Sequence, residues 1–311
     1  MKDQRFEIFY PSWTRKSLTF SIDDGNIPMD KKMLSILVPC GIKGTFNLSR
    51  YIPAEKEAEY YDLYKDYDVA NHVNTHPFAF PDDGRYIATD VYYEENMEGE
   101  LNHAYPMKDS EGSYRLKLER GWRTVVDNDA YIRLTESCSE NLMKVLGRDK
   151  IKDFVWPFFR QQNSELYDRL VGLGFRSLRG TNATGDTTGF ALPENLLDWC
   201  YNATHRDLLE VMELYDKYED DGELKFFAFG VHSVDYENEG KWGELQEFAE
   251  KYGNRPEEYW YAGVGEIFDY AEAVDALTVE NGILKNNSEI PVYVKVRGEK
   301  HILGAGESVS L

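Results

Sequence analysis

Six histidines occur in 311 residues, and two of them stand four apart in His72-Val73-Asn74-Thr75-His76. On a helical turn residues i and i+4 share a face, so the two imidazoles would lie close enough to grip one cation. Two histidines, one carboxylate and an open position form the donor set of catalytic zinc sites. The competing reading is a pair of surface histidines at chance spacing. Asp23-Asp24-Gly25 offers the carboxylates. One can ligate a cation while its neighbour, left free, receives a proton, and Gly25 permits the tight turn that aims both inwards. A solvated turn, or the N-cap region of a helix before Met29, explains the same residues. Asp82-Asp83-Gly84 repeats the triplet with no strand ahead of it. His232, in Val231-His232-Ser233, is the remaining candidate.

These residues need elements to position them. Leu18-Thr19-Phe20-Ser21-Ile22 reads as a strand that stops at Asp23. Met29, Met33, Leu34 and Leu37 have helical spacing, with Gly41 as terminator. A strand over 44–48, a Tyr-rich helix over 54–64 and a strand over 67–71 follow, the last running into His72. Regularity breaks over 79–126, a stretch long enough to be a lid or an insertion. It resumes with a helix over 127–146, a strand over 153–156 closed by Pro157, a helix over 164–173 and a strand over 175–178. A strand-like run at 196–201, a helix after His205, a strand over 225–230 ahead of His232, a helix over 241–252, a strand over 259–262 and a helix over 266–276 complete the series.

Such alternation predicts an α/β fold, a distorted (β/α)7–8 barrel. After Leu277 the style changes: Val292-Tyr293-Val294-Lys295-Val296 alternates at period two, among Gly282, Gly298, Gly304 and Gly306. The expected organisation is a barrel over 1–277, with an insertion at about 79–126, and a small C-terminal antiparallel β appendage over 278–311. A segment of that size must pack on the barrel because it holds no core alone. In such barrels functional groups gather at the C-terminal ends of strands. Asp23, Asp24, His72, His76 and His232 all fall just past a predicted strand.

With the residues placed, a resemblance follows. Thr19-Phe20-Ser21-Ile22-Asp23-Asp24-Gly25, Gly44-Thr45-Phe46 and Asn71-His72-Val73-Asn74-Thr75-His76-Pro77 resemble the opening motifs of the polysaccharide deacetylase family, the NodB-like carbohydrate esterases. Phe154-Val155-Trp156-Pro157-Phe158 resembles its third motif and Phe229-Gly230-Val231-His232-Ser233 its last. Trp260-Tyr261-Ala262 through Glu266–Tyr270 is similar to its closing strand and helix. The motifs run in family order over residues 18–276.

The resemblance implies a deacetylase in which Asp24, His72 and His76 hold one divalent metal, usually Zn2+, with Co2+, Ni2+ or Mn2+ as alternatives. Asp23 would be the general base and His232 the general acid. The backbone N–H of Phe158 would hold the oxyanion, with Trp156 and Pro157 beside it at the substrate. Two departures stand out. Val155 occupies a position where the family often has an arginine that orients the base, with Arg160 nearby but out of register. Val73 replaces the Ser or Thr that often follows the first metal histidine. Hydrolysis of a non-sugar amide on the same fold, and a catalytically silent carbohydrate-binding protein, are the alternative functions.

Composition narrows the partners. Lys+Arg is 35 and Asp+Glu 56, a formal charge of −21, which repels phosphate backbones and anionic lipid. The expected partner is an acetylated carbohydrate, neither nucleic acid nor membrane; no oligomeric state is read from the sequence. An acidic surface also tolerates a cationic amine product and disfavours uronic-acid polymers, so an N-acetyl substrate is expected over an O-acetyl one. Apolar residues at 42 % and aromatics at 14 % suffice for a large core. The start lacks the apolar run of a secretory leader, which points to the cytoplasm unless a leader has been removed.

Cys40, Cys138 and Cys200 show no CxxC spacing and read as buried free thiols. His205 reads as a structural residue, His103 and His301 as surface ones. Asn286-Asn287-Ser288 fits a glycosylation acceptor. No G-x-S-x-G elbow occurs, and Gly263-Val264-Gly265 is too little for a dinucleotide fingerprint. Tyr92, Tyr93, Tyr105, Tyr114 and Trp122 in the insertion, with Trp156 and Phe158, could stack on sugar rings or simply pack on the barrel.

Overall fold

The computed structural model describes residues 5–79, 114–118, 121–158, 163–180 and 186–311. In chain order the strands are β1 (Phe6–Phe9), β2 (Lys16–Asp23), β3 (Gly44–Leu48), β4 (Asp68–Asn71), β5 (Phe78–Ala79), β6 (Tyr114–Leu118), β7 (Gly121–Val126), β8 (Asp153–Val155), β9 (Ser177–Arg179), β10 (Lys225–His232) and β11 (Tyr259–Tyr261). The tail adds β12 (Leu277–Glu280), β13 (Ile283–Asn286), β14 (Val292–Val296), β15 (Glu299–Leu303) and β16 (Ser308–Ser310). The helices are α1 (Ile27–Leu37), α2 (Glu57–Tyr64), α3 (Asn128–Leu146), α4 (Ser164–Gly172), α5 (Leu208–Asp216), α6 (Ser233–Asn238), α7 (Trp242–Tyr252) and α8 (Val264–Asp275).

β2 is the strand around which the rest is built. Leu18, Phe20 and Ile22 alternate with Ser17, Thr19, Ser21 and Asp23, and all of these are buried. The period of two sends the apolar set to a core shared with Phe46, Phe229 and Phe248, and the polar set to the opposite face. Parallel neighbours follow in the order β10-β2-β3-β4-β8-β9, with β11 paired to the first half of β2. The free edges of β9 and β10 are joined through single parallel bridges, Arg179 to Trp199 and Ala203 to Phe229. This is the expected curled (β/α) barrel. The strand-like run at 196–201 supplies only the first of these bridges, at Trp199; just beyond it Asn202 bonds Ala228 through both its backbone and its side chain.

Register sets the height of the functional residues. His232 lies opposite Asp23, Asp23 opposite Asn47, Leu48 opposite Asn71, and Val155 opposite Arg179. The C-terminal ends of these strands therefore share one level. α8 closes the other end: the N–H groups of Val264 and Gly265 donate to Thr45 Oγ1 and to Asp68 Oδ2, both at 2.7 Å, where β3 and β4 begin.

Two features were not legible beforehand. The stretch expected to be irregular ends in a hairpin, β6 against β7, with β5 added to it; its period-two residues form too short a run to stand out. β1 pairs antiparallel with β14, Phe6 opposite Val296, so the N-terminal strand joins the tail. The tail folds as β1-β14-β15 and β12-β13-β16, and Val292, Val294 and Val296 share a core with Phe268 and Tyr270 of α8.

Asn286 overturns its reading as a glycosylation acceptor. It has no exposed surface, and its amide donates to the carbonyls of Ile290 and Leu303, both at 2.8 Å. All three cysteines are free, Cys138 buried and Cys40 and Cys200 partly so. Among the described residues no helix is long and apolar enough to cross a membrane.

Candidate active site

Asp23 ends β2, and the next two residues turn the chain through left-handed conformations, Asp24 at φ +77° and Gly25 at φ +68°. Gly25 is required twice over, because a Cβ there would also lie 2.6 Å from Leu48 Cδ2. The N–H of Asp24 donates to Asn47 O at 2.9 Å, tying the turn to β3.

The histidine pair is not on a helical turn, which corrects the expected geometry. Val73, Thr75 and His76 are left-handed at φ +59°, +69° and +49°, and Val73 and Thr75 are β-branched, so a helix is excluded. The loop is held from outside. His72 N–H donates to Leu48 O and Thr75 N–H to Ser49 O, both at 3.0 Å, and Val73 N–H donates to Asn71 Oδ1 at 2.8 Å. The rings still meet, at 4.7 Å between centroids. Of eleven non-glycine residues with left-handed φ among the described residues, five (Asp24, Val73, Thr75, His76 and Phe158) stand here. Conformations of this kind cost about 1–3 kcal/mol each and persist where the surroundings over-determine them.

Asp24 Oδ1 lies 3.7 Å from His72 Nε2 and 3.6 Å from His76 Nε2. These are the one group of three potential metal donors within 4.8 Å of one another among the described residues. Asp24 Oδ1 and His72 Nε2 are buried and have no hydrogen-bond partner among the described residues. His72 Nδ1 lies 2.9 Å from Val155 O. A carbonyl only accepts, so the proton sits on Nδ1 and Nε2 presents its lone pair. Burial pulls the His72 imidazole below its usual pKa against the charges of Asp23 and Asp24. Burial, and then repulsion from His72, brings His76 down to about 3. Both rings are therefore neutral at pH 7, as ligands must be. Donors held ~2.0–2.1 Å from one tetrahedral cation would lie ~3.4 Å apart, and the two distances from Asp24 Oδ1 match this to within a few tenths of an ångström.

Asp23 is 5 % exposed, and its partners are different ones. Arg179 Nη2 donates to both its oxygens, at 2.8 and 2.6 Å, and Asn47 Nδ2 to Oδ1 at 2.6 Å. Burial acts to raise its pKa, but the Arg179 guanidinium, aided by His72 and His232, holds the carboxyl at about 2. Arg179 is wholly buried, and its Nη1 donates to Ser21 Oγ at 2.6 Å. Sequence reasoning missed this residue. The guanidinium comes from β9, directly across from Val155. The available signal was an arginine directly after the strand read over 175–178. Arg160 lies outside the described residues.

His232 faces the same mouth, its Nε2 4.0 Å from Asp24 Oδ2. Its Nδ1 is 3.1 Å from Asp235 Oδ2, three residues on, a second partner not read from the sequence. Burial alone would lower its pKa; the Asp235 hydrogen bond and the Asp23 and Asp24 charges outweigh that and raise it to about 9. His205 is buried between Glu239, 3.1 Å from its Nε2, and Asp235, 3.7 Å from its Nδ1.

Motif three divides. Phe158 is left-handed at φ +65°, and its ring stands edge-on to His76 at 4.4 Å. Trp156 is 1 % exposed, packed with Phe154 and Tyr131, and Pro157 is buried too. Both lead into the turn that carries Phe158. Tyr114 and Trp122 fall on β6 and β7, and His301 on β15, while Tyr92, Tyr93, Tyr105 and His103 lie outside the described residues.

By sequence the chain matches no family model and no curated protein. Solved structures do match. A putative polysaccharide deacetylase from Mycobacterium smegmatis superposes with a TM-score of 0.51 at 13 % identity, over 86 % of this chain and 94 % of that one. A polysaccharide deacetylase from Bacillus cereus gives 0.43 at 13 % identity, over 80 % and 92 %. A family 4 acetyl xylan esterase from Clostridium thermocellum, in complex with a cobalt ion, gives 0.44 at 11 % identity, over 81 % and 90 %. The fold is that of the polysaccharide deacetylases, the family whose motifs this sequence resembles.

Proposed function

We propose that this protein is a metal-dependent deacetylase that removes acetyl groups, N-acetyl in preference to O-acetyl, from a sugar, oligosaccharide or polysaccharide. One observation carries the reading: Asp24, His72 and His76 converge, with Asp24 Oδ1 and His72 Nε2 buried without a hydrogen-bond partner among the described residues, between a carboxylate held ionised and an imidazole held protonated. Asp24, His72 and His76 would hold the cation, Zn2+ first among candidates.

Asp23, at about 2, is a weak base. Against ordinary water at ~15.7 the proton transfer is uphill by roughly 19 kcal/mol, and a divalent cation that brings water towards ~7 and polarises the acetyl carbonyl cuts this to roughly 7 kcal/mol. Asp23 then takes the proton as the water oxygen bonds to the carbonyl carbon, and Arg179 and Asn47 keep its oxygens in place. The Phe158 N–H would donate to the developing oxyanion. His232 gives its Nε2 proton to the nitrogen as the C–N bond breaks, which yields acetate and an amine. Residues 1–277 would supply this barrel, and 278–311 a β appendage braced by β1.

Acetate release from an N-acetylglucosamine oligomer by the purified protein tests the reading. Release is expected to stop on chelation and to return with added Zn2+; release that ignores chelation would remove the metal from the account.

A further inference from the structure

Asp30, in α1, has no exposed surface. A carboxylate buried so completely needs partners, and replacing such a group by an apolar one of similar size is often neutral or stabilising when packing alone is at stake. Its side chain joins two other elements. The Tyr64 hydroxyl, at the end of α2, donates to Oδ2 at 2.6 Å, and the Ser233 hydroxyl donates to Oδ1 at 2.5 Å. Ser233 opens α6 and follows His232 directly.

We propose that Asp30 is a positioning residue for His232 and acts through Ser233. β10 carries His232 in extended conformation, φ −106° and ψ 130°, and the helical chain begins at the next residue. Among the described residues no side chain caps α6. The aim of the His232 side chain thus depends on where that first turn starts, and the Ser233–Asp30 bond fixes it. α1 also begins two residues after Gly25, so one helix references the acid and the Asp23-Asp24 turn to each other. Asp235 steadies the imidazole at Nδ1, while Asp30 steadies the backbone from which it hangs. The separation kept is the 4.0 Å between His232 Nε2 and Asp24 Oδ2.

The inference rests on the deacetylase reading, in which His232 protonates the departing amine. Ser233→Ala and Tyr64→Phe each remove one of Asp30's two hydroxyl partners, and only the first touches the His232 corner. Two substrates separate the outcomes. The amine of an N-acetylglucosamine oligomer needs a proton to leave, whereas the phenolate of p-nitrophenyl acetate leaves without one.

Ser233→Ala is expected to lower kcat on the oligomer by at least roughly tenfold, a fraction of what a general acid supplies, with KM and p-nitrophenyl acetate hydrolysis within about twofold. Tyr64→Phe is expected to lower Tm to a similar degree and leave both reactions within about twofold. The 15N resonances of the His232 ring, read in the metal-free protein, should move in the first variant and not in the second. Equal losses in both variants, equal losses on both substrates, or unmoved His232 resonances overturn the inference. A wild-type protein that releases acetate from neither substrate overturns the deacetylase reading, and this inference falls with it.

Discussion

Arg179 offers the sharpest perturbation, because it is fully buried and its main task is to neutralise a carboxylate that is itself 5 % exposed. Arg179→Met keeps much of the volume and removes the charge. Asp23 then loses the influence that holds it at about 2, and burial, which acts in the opposite direction, carries its pKa above the usual 3.8. The linkage part follows directly. A carboxyl lowered from 3.8 to about 2 contributes about 2–3 kcal/mol that is fully present above pH 4 and is lost as pH falls through 2. Leaving the partner charge buried and unpaired costs about 3–5 kcal/mol in all at pH 7.

Urea unfolding of the metal-free protein at pH 7 and again near pH 3 measures both. Arg179→Met should lose the larger sum at pH 7, and near pH 3 the gap to wild type should narrow to about 1–2 kcal/mol, because wild-type Asp23 is still largely ionised there. Asp23→Asn in the same chain should recover much of the loss, because no stranded charge remains. A pH 7 loss under ~1 kcal/mol, the size of an exposed pair, would refute the reasoning. So would a double variant no more stable than Arg179→Met alone.

Asp23→Asn should keep the metal and lose about 10²–10⁴-fold in kcat, measured by acetate release beside metal content. Gly230→Ala would place a Cβ 2.0 Å from Tyr201 Cδ1 and drive that ring away from the Arg179 guanidinium, now 5.3 Å from its centre. It should cost about 1–3 kcal/mol in urea unfolding. Burial lifts the Asp30 carboxyl to about 6, against its hydrogen bonds to Ser233 and Tyr64. The folded state therefore holds a proton that the unfolded chain has released, and stability relative to Asp30→Asn should fall by about 3 kcal/mol as pH rises from about 3 to 7, about 2 kcal/mol of it between pH 4 and 6. A parallel pair of pH–stability curves would contradict this.

The parts legible in the sequence were those written in local pattern. Gly44–Leu48 and Val292–Val296 were read with their observed bounds, the second from its strict alternation. The long helix Asn128–Leu146 was read to within a residue, between the Asp127 cap and Gly147. Asp23, Asp24, His72, His76 and His232 were read by the same means, since each lies at or just past a strand end. What failed was non-local. Nothing near Arg179 announces that it faces Val155 across a strand pair, and nothing in Phe6–Phe9 announces Val296. The His72–His76 loop failed for another reason: i and i+4 spacing suits a helix, and only contacts with Leu48, Ser49 and Asn71 force the left-handed path.

The central claim is that Asp24, His72 and His76 hold a divalent cation, and metal analysis of the purified protein beside a His72→Ala/His76→Ala variant tests it most directly. The account expects about one equivalent of metal in the wild-type chain and none above background in the variant, with the fold intact by circular dichroism. Full metal retention in a folded variant would contradict it.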